Sequence, residues 1–162
     1  MKVQEELLIG KPLDGTHEVL LSLLLTREAA AFYFDERVFK PSGISDQQFN
    51  VLRILRGGPK EGYLVCEIKR RMIHRNADAP RLIERLAKQG LVRRRENPAD
   101  RRGTRIQITP KGLALAEKVG PVHAAALARV SAALDEPSRQ RLVDLLDQVR
   151  EVFRAGVEAQ EG

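Results

Sequence analysis

The chain has 162 residues and a net charge of +6, and 43% of its residues are hydrophobic against 31% charged. This composition is typical of a globular protein and excludes a disordered chain. No apolar run reaches the roughly 20 residues that span a bilayer, and no signal-peptide pattern opens the chain. We therefore expect a cytoplasmic protein without a membrane partner. The lone cysteine, Cys66, makes no internal disulfide, which fits a reducing compartment.

Positive charge is concentrated in one segment. Residues 69–105 contain thirteen Lys and Arg against four acids, a local charge of +9, so the rest of the chain carries −3. A basic segment inside a slightly acidic chain is typical of a surface that binds nucleic acid. The alternative at this point is a solvated surface with an excess of arginine.

The first predicted helix covers residues 16–38, after an arm at residues 1–15, with Thr16 as its N-cap. Leucine, alanine and aromatic residues make this helix apolar on nearly every side. Such a helix has to be buried on most faces. In a chain of this length, a partner subunit is the simplest way to bury it.

Three shorter helices and a hairpin follow. Ser45 and Gln48 predict a capping box for a helix that ends at Gly57, and helices are predicted over residues 65–72 and 77–89, with Gly90 ending the last. After Gly90 the apolar period changes to two, which predicts strands over residues 91–96 and 104–109. The polar segment 97–103 is predicted to be the tip between them.

Two helices complete the chain. Thr109 and Pro110 predict the start of the first, which should be kinked or interrupted at Gly120-Pro121. Asp135 is predicted to cap the last helix, whose apolar stripe includes Leu145 and Val149. This order of elements predicts a mainly α fold with a small β-hairpin wing. Within one domain (1–162), a winged helix-turn-helix lobe covers residues 44–109, and a helical dimerisation lobe combines residues 16–43 and 110–155.

Several motifs resemble those of the MarR family of regulators. QFNVLRILRG at 48–57 is similar to the family's second helix, and RLIERL at 81–86 followed by GLVRR at 90–94 is similar to its recognition helix and first wing strand. NPADRR at 97–102 and ITPKG at 108–112 resemble its wing and the turn after it. The resemblance covers about residues 20–153. It implies a transcriptional repressor that binds a palindromic operator as a homodimer and responds to a small effector.

Two positions depart from the family pattern. Pro80 stands where the family usually has Thr before the recognition Arg. Proline in the first turn preserves the helix but removes a hydroxyl that would contact DNA. Leu64 stands where a capping Ser or Thr is expected.

The candidate contacts to double-stranded DNA lie on the recognition helix and the wing. Arg81 and Arg85 are expected to meet base edges or phosphates, although a solvated helix face is the alternative. Asn76 either reaches DNA or caps the helix, and at least one of the three arginines 93–95 should be structural. An arginine on the wing is suited to a narrow minor groove or a phosphate, with Asp100 holding Arg102 in place; the alternative is a mobile, exposed loop without a fixed role. The predicted DNA-binding residues are Asn76, Arg81, Arg85, Arg94, Arg101 and Arg102.

Phe32, Tyr33 and Phe34 either line a pocket for a small aromatic or amphipathic effector or pack as core. Cys66 is interpreted as a plain small residue rather than a redox sensor. The three histidines have no metal-binding spacing. No enzyme signature is present, so no catalytic residue, metal or cofactor is predicted. The rival function is a winged-helix module that binds protein or RNA without reading DNA sequence.

Overall fold

The computed structural model describes residues 3–74, 76–96 and 103–158. The chain divides into two compact units, the first ending at His123 and the second beginning at Ala124. The described residues form a mainly helical fold with a small antiparallel sheet, as the sequence predicts. No helix in this part of the chain is long and apolar enough to cross a membrane.

The long apolar helix follows a short helix α1 (Val3–Glu6). Helix α2 (Gly15–Phe34) runs into a π-helical turn (Asp35–Phe39) and a short α3 (Lys40–Ser42). Thr16 was the wrong cap: Oδ1 of Asp14 accepts hydrogen bonds from the backbone N–H groups of Thr16 and His17, at 2.9 and 3.1 Å. No residue of α2 is fully buried within the chain, and several of its large apolar side chains, among them Leu20, Leu24 and Phe32, are exposed.

The helix-turn-helix region begins with α4 (Asp46–Arg56) and continues through α5 (Val65–Arg71) to α6 (Ala79–Lys88). The capping box at α4 is confirmed, because Ser45 and Gln48 bond each other's backbone N–H at 3.0 and 3.2 Å. At α5, Leu64 has no capping oxygen, and Oε2 of Glu67 accepts from its N–H at 2.7 Å instead.

The two predicted strands are β2 (Val92–Glu96) and β3 (Thr104–Ile108), and they pair antiparallel. A two-residue strand, β1 (Tyr63–Leu64), extends the sheet to the order β1-β3-β2. The sequence prediction missed β1 because two residues are too few to show an alternating pattern.

The turn into α7 (Pro110–Ser131) confirms Thr109 as its cap. Oγ1 of Thr109 accepts from the N–H of Gly112 at 3.1 Å and donates to the carbonyl of Gly90 at 2.7 Å. A Cβ at Gly112 would lie 2.1 Å from the carbonyl oxygen of Leu91. The glycine of this motif is therefore required by close backbone approach.

Helix α7 is continuous through Pro121, so of the two predicted outcomes there, a kink or an interruption, the interruption is wrong. Helix α8 (Glu136–Glu158) lies in the second unit. Its predicted cap is confirmed, since Oδ1 of Asp135 accepts from the N–H of Ser138 at 2.9 Å. Leu145 is half exposed within the chain.

The core lies around the helix-turn-helix and the sheet. Its largest fully buried side chains are Val38, Val51, Leu52, Ile68, Met72, Ile83, Leu86, Ile106 and Val119.

Candidate nucleic-acid interface

Helix α6 is amphipathic, with one buried face and one charged face. Its buried residues are Ala79, Leu82, Ile83 and Leu86. At about 100° per residue, this spacing puts Arg81, Glu84 and Lys88 opposite the buried stripe, with Arg85 on its flank. Fixing the apolar face against the core therefore fixes which side chains face solvent.

The start of α6 is capped by Asp78, whose Oδ1 accepts from the N–H of Arg81 at 3.1 Å. Asn76 does not cap the helix, so that alternative is wrong, and its side chain is exposed ahead of α6. Pro80 lies in the first turn, where its missing N–H costs the helix no bond.

Three side chains of α4 contact the segments that flank α6 in sequence; they are those of Asp46, Gln48 and Asn50. Oδ1 of Asn50 accepts from the N–H of Ile73 at 3.2 Å, and Oδ2 of Asp46 lies 2.8 Å from Nε2 of His74. Beyond the other end, Nε2 of Gln48 donates to Oε1 of Gln89 at 3.1 Å. Because Gln48 and Asn50 are buried, these polar contacts fix α6 at both ends.

Arg81 and Arg85 are exposed, and neither guanidinium has a hydrogen-bond or ion-pair partner among the residues that the structure describes. Arg94, on β2, is exposed in the same way. An unpartnered guanidinium retains its full set of donors for a phosphate or a base edge.

Glu84 lies among these cations. Its Oε1 is 2.8 Å from Nζ of Lys88. The hydrogen bond and charge of Lys88 lower the pKa of the Glu84 carboxyl, and the charges of Arg94 and Arg81 lower it further. The carboxylate is thus ionised at neutral pH, in the middle of a positively charged surface.

The wing strands confirm that one arginine of the three is structural. Nε of Arg93 donates to Oε1 of Gln107 at 2.9 Å, and Nε2 of Gln107 donates to the carbonyl of Lys60 at 3.0 Å. Arg93 thereby ties β2 to the loop before β1. Asp100, Arg101 and Arg102, the predicted residues of the wing tip, lie outside the described residues.

An open cleft of about 970 Å³ lies in the first unit, between α2 and the helix-turn-helix region. Phe32 and Phe34 line it, whereas Tyr33 does not; the Tyr33 ring packs edge-on against Phe34 at 5.5 Å. Two of the three aromatic residues named for a pocket thus border this cleft, and the effector itself stays a prediction.

Other cleft residues were not found from the sequence. His123 lies with its ring 5.2 Å from Phe34 and 5.4 Å from Phe49, and its burial, followed by the charge of Arg53, lowers its pKa. His74 and Arg85 also line the cleft. These residues come from distant parts of the chain, so no local pattern would have grouped them.

Comparison with known proteins agrees with this architecture. Residues 42–103 match the model of the MarR family. The chain is 27% identical to the uncharacterized HTH-type transcriptional regulator YkoM of Bacillus subtilis, over 75% of this chain and 73% of YkoM. It is 26% identical to the HTH-type transcriptional repressor YetL of the same organism, over 68% of this chain and 66% of YetL.

Two solved structures show the same fold. Sco3205, a MarR family transcriptional regulator from Streptomyces coelicolor solved in complex with DNA, has a TM-score of 0.74 at 21% identity, over 87% of this chain and 90% of that one. BpsR of Bordetella bronchiseptica, whose DNA binding is regulated by 6-hydroxynicotinic acid, has a TM-score of 0.75 at 24% identity, over 86% and 98%.

Fold and site together define a winged helix-turn-helix DNA-binding protein. Over residues 42–103 the chain is similar to the MarR family of transcriptional regulators, and its fold is that of solved MarR family structures.

Proposed function

We propose that this protein is a sequence-specific transcriptional repressor that binds a palindromic operator as a homodimer and is modulated by a small effector. The observation that carries the proposal is the solvent face of α6. Its apolar stripe is buried, and Arg81 and Arg85 are exposed without partners. A helix of this width fits the major groove, where arginine bound to guanine is the commonest specific contact.

The recognition helix and the wing have different roles in this proposal. Arg81, opposite the buried stripe, reads a base edge, and Arg85 and Asn76 add contacts nearby. Arg94, Arg101 and Arg102 bind phosphates or a narrow minor groove, where negative potential is concentrated. Asp100 holds Arg102 through a charge-assisted hydrogen bond. The wing thus supplies affinity, and the helix supplies sequence preference.

Helix α2 supports the proposed homodimer, because it is long and apolar and none of its residues is fully buried within the chain. Leu20 and Leu24, one turn apart, are 43% and 49% exposed, and Phe32 is 70% exposed. Several large apolar side chains exposed on one helix are typical of an interaction surface. A second copy of the chain would cover it and give the two-fold symmetry that a palindrome requires.

The effector site is the cleft beside α2. Phe32 and Phe34 offer aromatic surface, and Arg85 places an unpartnered guanidinium at the same cleft. This combination suits a small aromatic or amphipathic molecule. BpsR is regulated by 6-hydroxynicotinic acid, and CouR of Rhodococcus jostii was solved with p-coumaroyl-CoA, which supports such a ligand here.

Selection of bound sequences from random duplex DNA tests the core of the proposal. We expect an enriched palindrome, and a slope of log affinity against log salt of roughly −5 or steeper for the dimer. A reporter gene placed behind the selected sequence should be transcribed less when the protein is present. Tight binding to RNA without any enriched DNA sequence would instead support the rival interaction module.

A thermal-shift screen of aromatic acids and their neutral amides tests the effector. An effector should stabilise the wild-type protein, weaken its binding to the selected operator and lose both effects in Phe34→Ala. Stabilisation that persists in Phe34→Ala would place the ligand elsewhere.

A further inference from the structure

Glu84 is the single acidic residue of α6, and it lies on the charged face of that helix. Its side chain is 53% exposed, and Lys88, its ion-pair partner one turn later, is 75% exposed. The nearby charges of Arg81 and Arg94 favour its ionised form. The proposed DNA-reading surface therefore carries a full negative charge near its centre.

A surface built only to attract phosphates would bind more tightly without this carboxylate, since it repels a polyanion. The Glu84–Lys88 pair has the favourable order for two residues four apart on a helix, so helix stabilisation is the competing explanation. That explanation accounts for the pair, but it involves neither Arg81 nor Arg94.

The hydrogen-bonding groups of the major groove determine which base a carboxylate can contact favourably. Most base edges there present acceptors: N7 and O6 of guanine, N7 of adenine and O4 of thymine. A carboxylate only accepts hydrogen bonds, so it is repelled by all of these. The donors are the amino groups of cytosine and adenine, and in adenine the neighbouring N7 is again an acceptor. Cytosine is therefore the base that fits best.

We propose that Glu84 is a specificity-determining residue, whose carboxylate accepts a hydrogen bond from the N4 amino group of a cytosine and disfavours guanine and thymine at that position. The inference rests on the proposed function, because it requires α6 to lie in the major groove. Specificity then comes both from the hydrogen bond to cytosine and from electrostatic repulsion of bases that present acceptors.

The neighbouring cations complete the arrangement. Lys88 offsets the charge of Glu84 and so reduces its repulsion from the phosphates on either side. Arg81 lies three residues before Glu84 on the same helix face. A donor and an acceptor in this spacing read neighbouring base edges of opposite character, a guanine for Arg81 and a cytosine for Glu84.

Parallel selections from random duplex DNA with the wild type and Glu84→Gln test this assignment. The glutamine keeps the shape of the side chain but adds a donor, which bonds to acceptor edges. We expect the wild type to enrich cytosine at one position in each half-site, and Glu84→Gln to accept other bases there. The ratio of operator to scrambled-duplex affinity should fall about five-fold or more in the variant, and its affinity for scrambled duplex should rise.

Two control variants separate base reading from charge and from helix stability. Glu117→Gln makes the same change in net charge at an exposed position of α7, outside the helix-turn-helix, and should leave the base preference unchanged. Lys88→Ala removes the ion-pair partner. The cytosine preference should survive in Lys88→Ala and disappear when Glu84→Gln is added to it.

Each outcome is informative. If the wild type enriches no sequence, the proposed function itself fails. If it enriches a palindrome that Glu84→Gln enriches identically, only the role of Glu84 is overturned. An equal gain in affinity for operator and scrambled duplex would also overturn it, because the carboxylate would then act as a charge alone. Loss of the cytosine preference in Lys88→Ala without the second change would assign Glu84 to positioning Lys88.

Discussion

Helices α2 and α6 are both rich in apolar residues, but they differ in what the chain provides for them. Four residues of α6 are buried, and its remaining face is charged. No residue of α2 is fully buried, although the helix itself carries leucine, alanine and aromatic residues on nearly every side. Helix α6 thus buries its apolar face within the chain, whereas α2 leaves apolar side chains exposed, as the proposed homodimer requires. Substitutions that perturb each helix separately test this difference.

The largest effect is expected on association through α2. Replacing Leu20 and Leu24 by Asp puts two charges on a surface that the dimer would bury, and a buried charge without a partner costs about 3–5 kcal/mol. Because both positions are half exposed in the single chain, the variant should stay folded. We expect a folded monomer that has lost operator binding, as measured by sedimentation velocity and circular dichroism.

Replacing the same two residues by Met preserves the apolar surface and should preserve the dimer. Wild-type protein that sediments as a folded monomer at micromolar concentration would contradict the proposed dimer.

The apolar face of α6 gives the next effect, on folding. Leu86 is fully buried, and Leu86→Ala should lower the free energy of unfolding by about 2–5 kcal/mol. Leu8→Ala is the matched control: Leu8 is 91% exposed, so the same substitution should change stability by less than about 0.5 kcal/mol. Urea denaturation measures both. Equal losses would mean that the packing of α6 is not what stabilises this lobe.

The charged face of α6 gives a smaller effect, confined to DNA. Arg81→Ala should cost about 1–3 kcal/mol of operator binding and relax the preference at one position in each half-site. Arg102→Ala, at the predicted wing tip, should instead weaken all duplexes and flatten the salt slope by about one or two per dimer. Affinities for operator and scrambled duplex at two salt concentrations separate the two. The opposite pattern would reverse the roles of helix and wing.

The smallest effect concerns pH and His123. Burial, with the charge of Arg53, lowers its pKa below the ordinary 6.5, although Asp46 acts in the other direction. The folded protein thus resists a proton that the unfolded chain accepts. This contribution to stability is complete above pH 6.5 and declines as the pH falls below that value. The decline between pH 6.5 and 5 should be shallower in His123→Gln, as measured by urea denaturation at each pH. Parallel curves for the two proteins would show that His123 does not contribute to it.

Features set by neighbouring residues could be predicted from the sequence. Ser45 and Gln48 cap α4 reciprocally, and Thr109 caps α7 next to Pro110. The apolar spacing of α6 predicted which residues are buried and left Arg81 outside. Local capping also misled once, because Thr16 and Asp14 are both good capping residues and the pattern does not rank them.

Other features depend on segments that are distant in sequence. His74 reaches Asp46 across 28 positions, and Gln48 reaches Gln89 across 41. Strand β1 exists because β3 offers it a pairing edge. Arg85 was predicted for DNA alone, yet it also lines the cleft. Such contacts follow from how the elements pack, and no spacing along the chain encodes them.

The sequence by itself determined the order of the longer helices and of the two wing strands, the basic segment and the resemblance to the MarR family, because helix periodicity, capping and charge are properties of short stretches. Only the tertiary structure decided that Tyr33 does not line the cleft, that Asp46, Gln48 and Asn50 contact the segments at both ends of α6, and that no residue of α2 is fully buried within the chain. The physical reason is that side-chain neighbours across the fold are set by packing, which brings together residues that no local pattern connects.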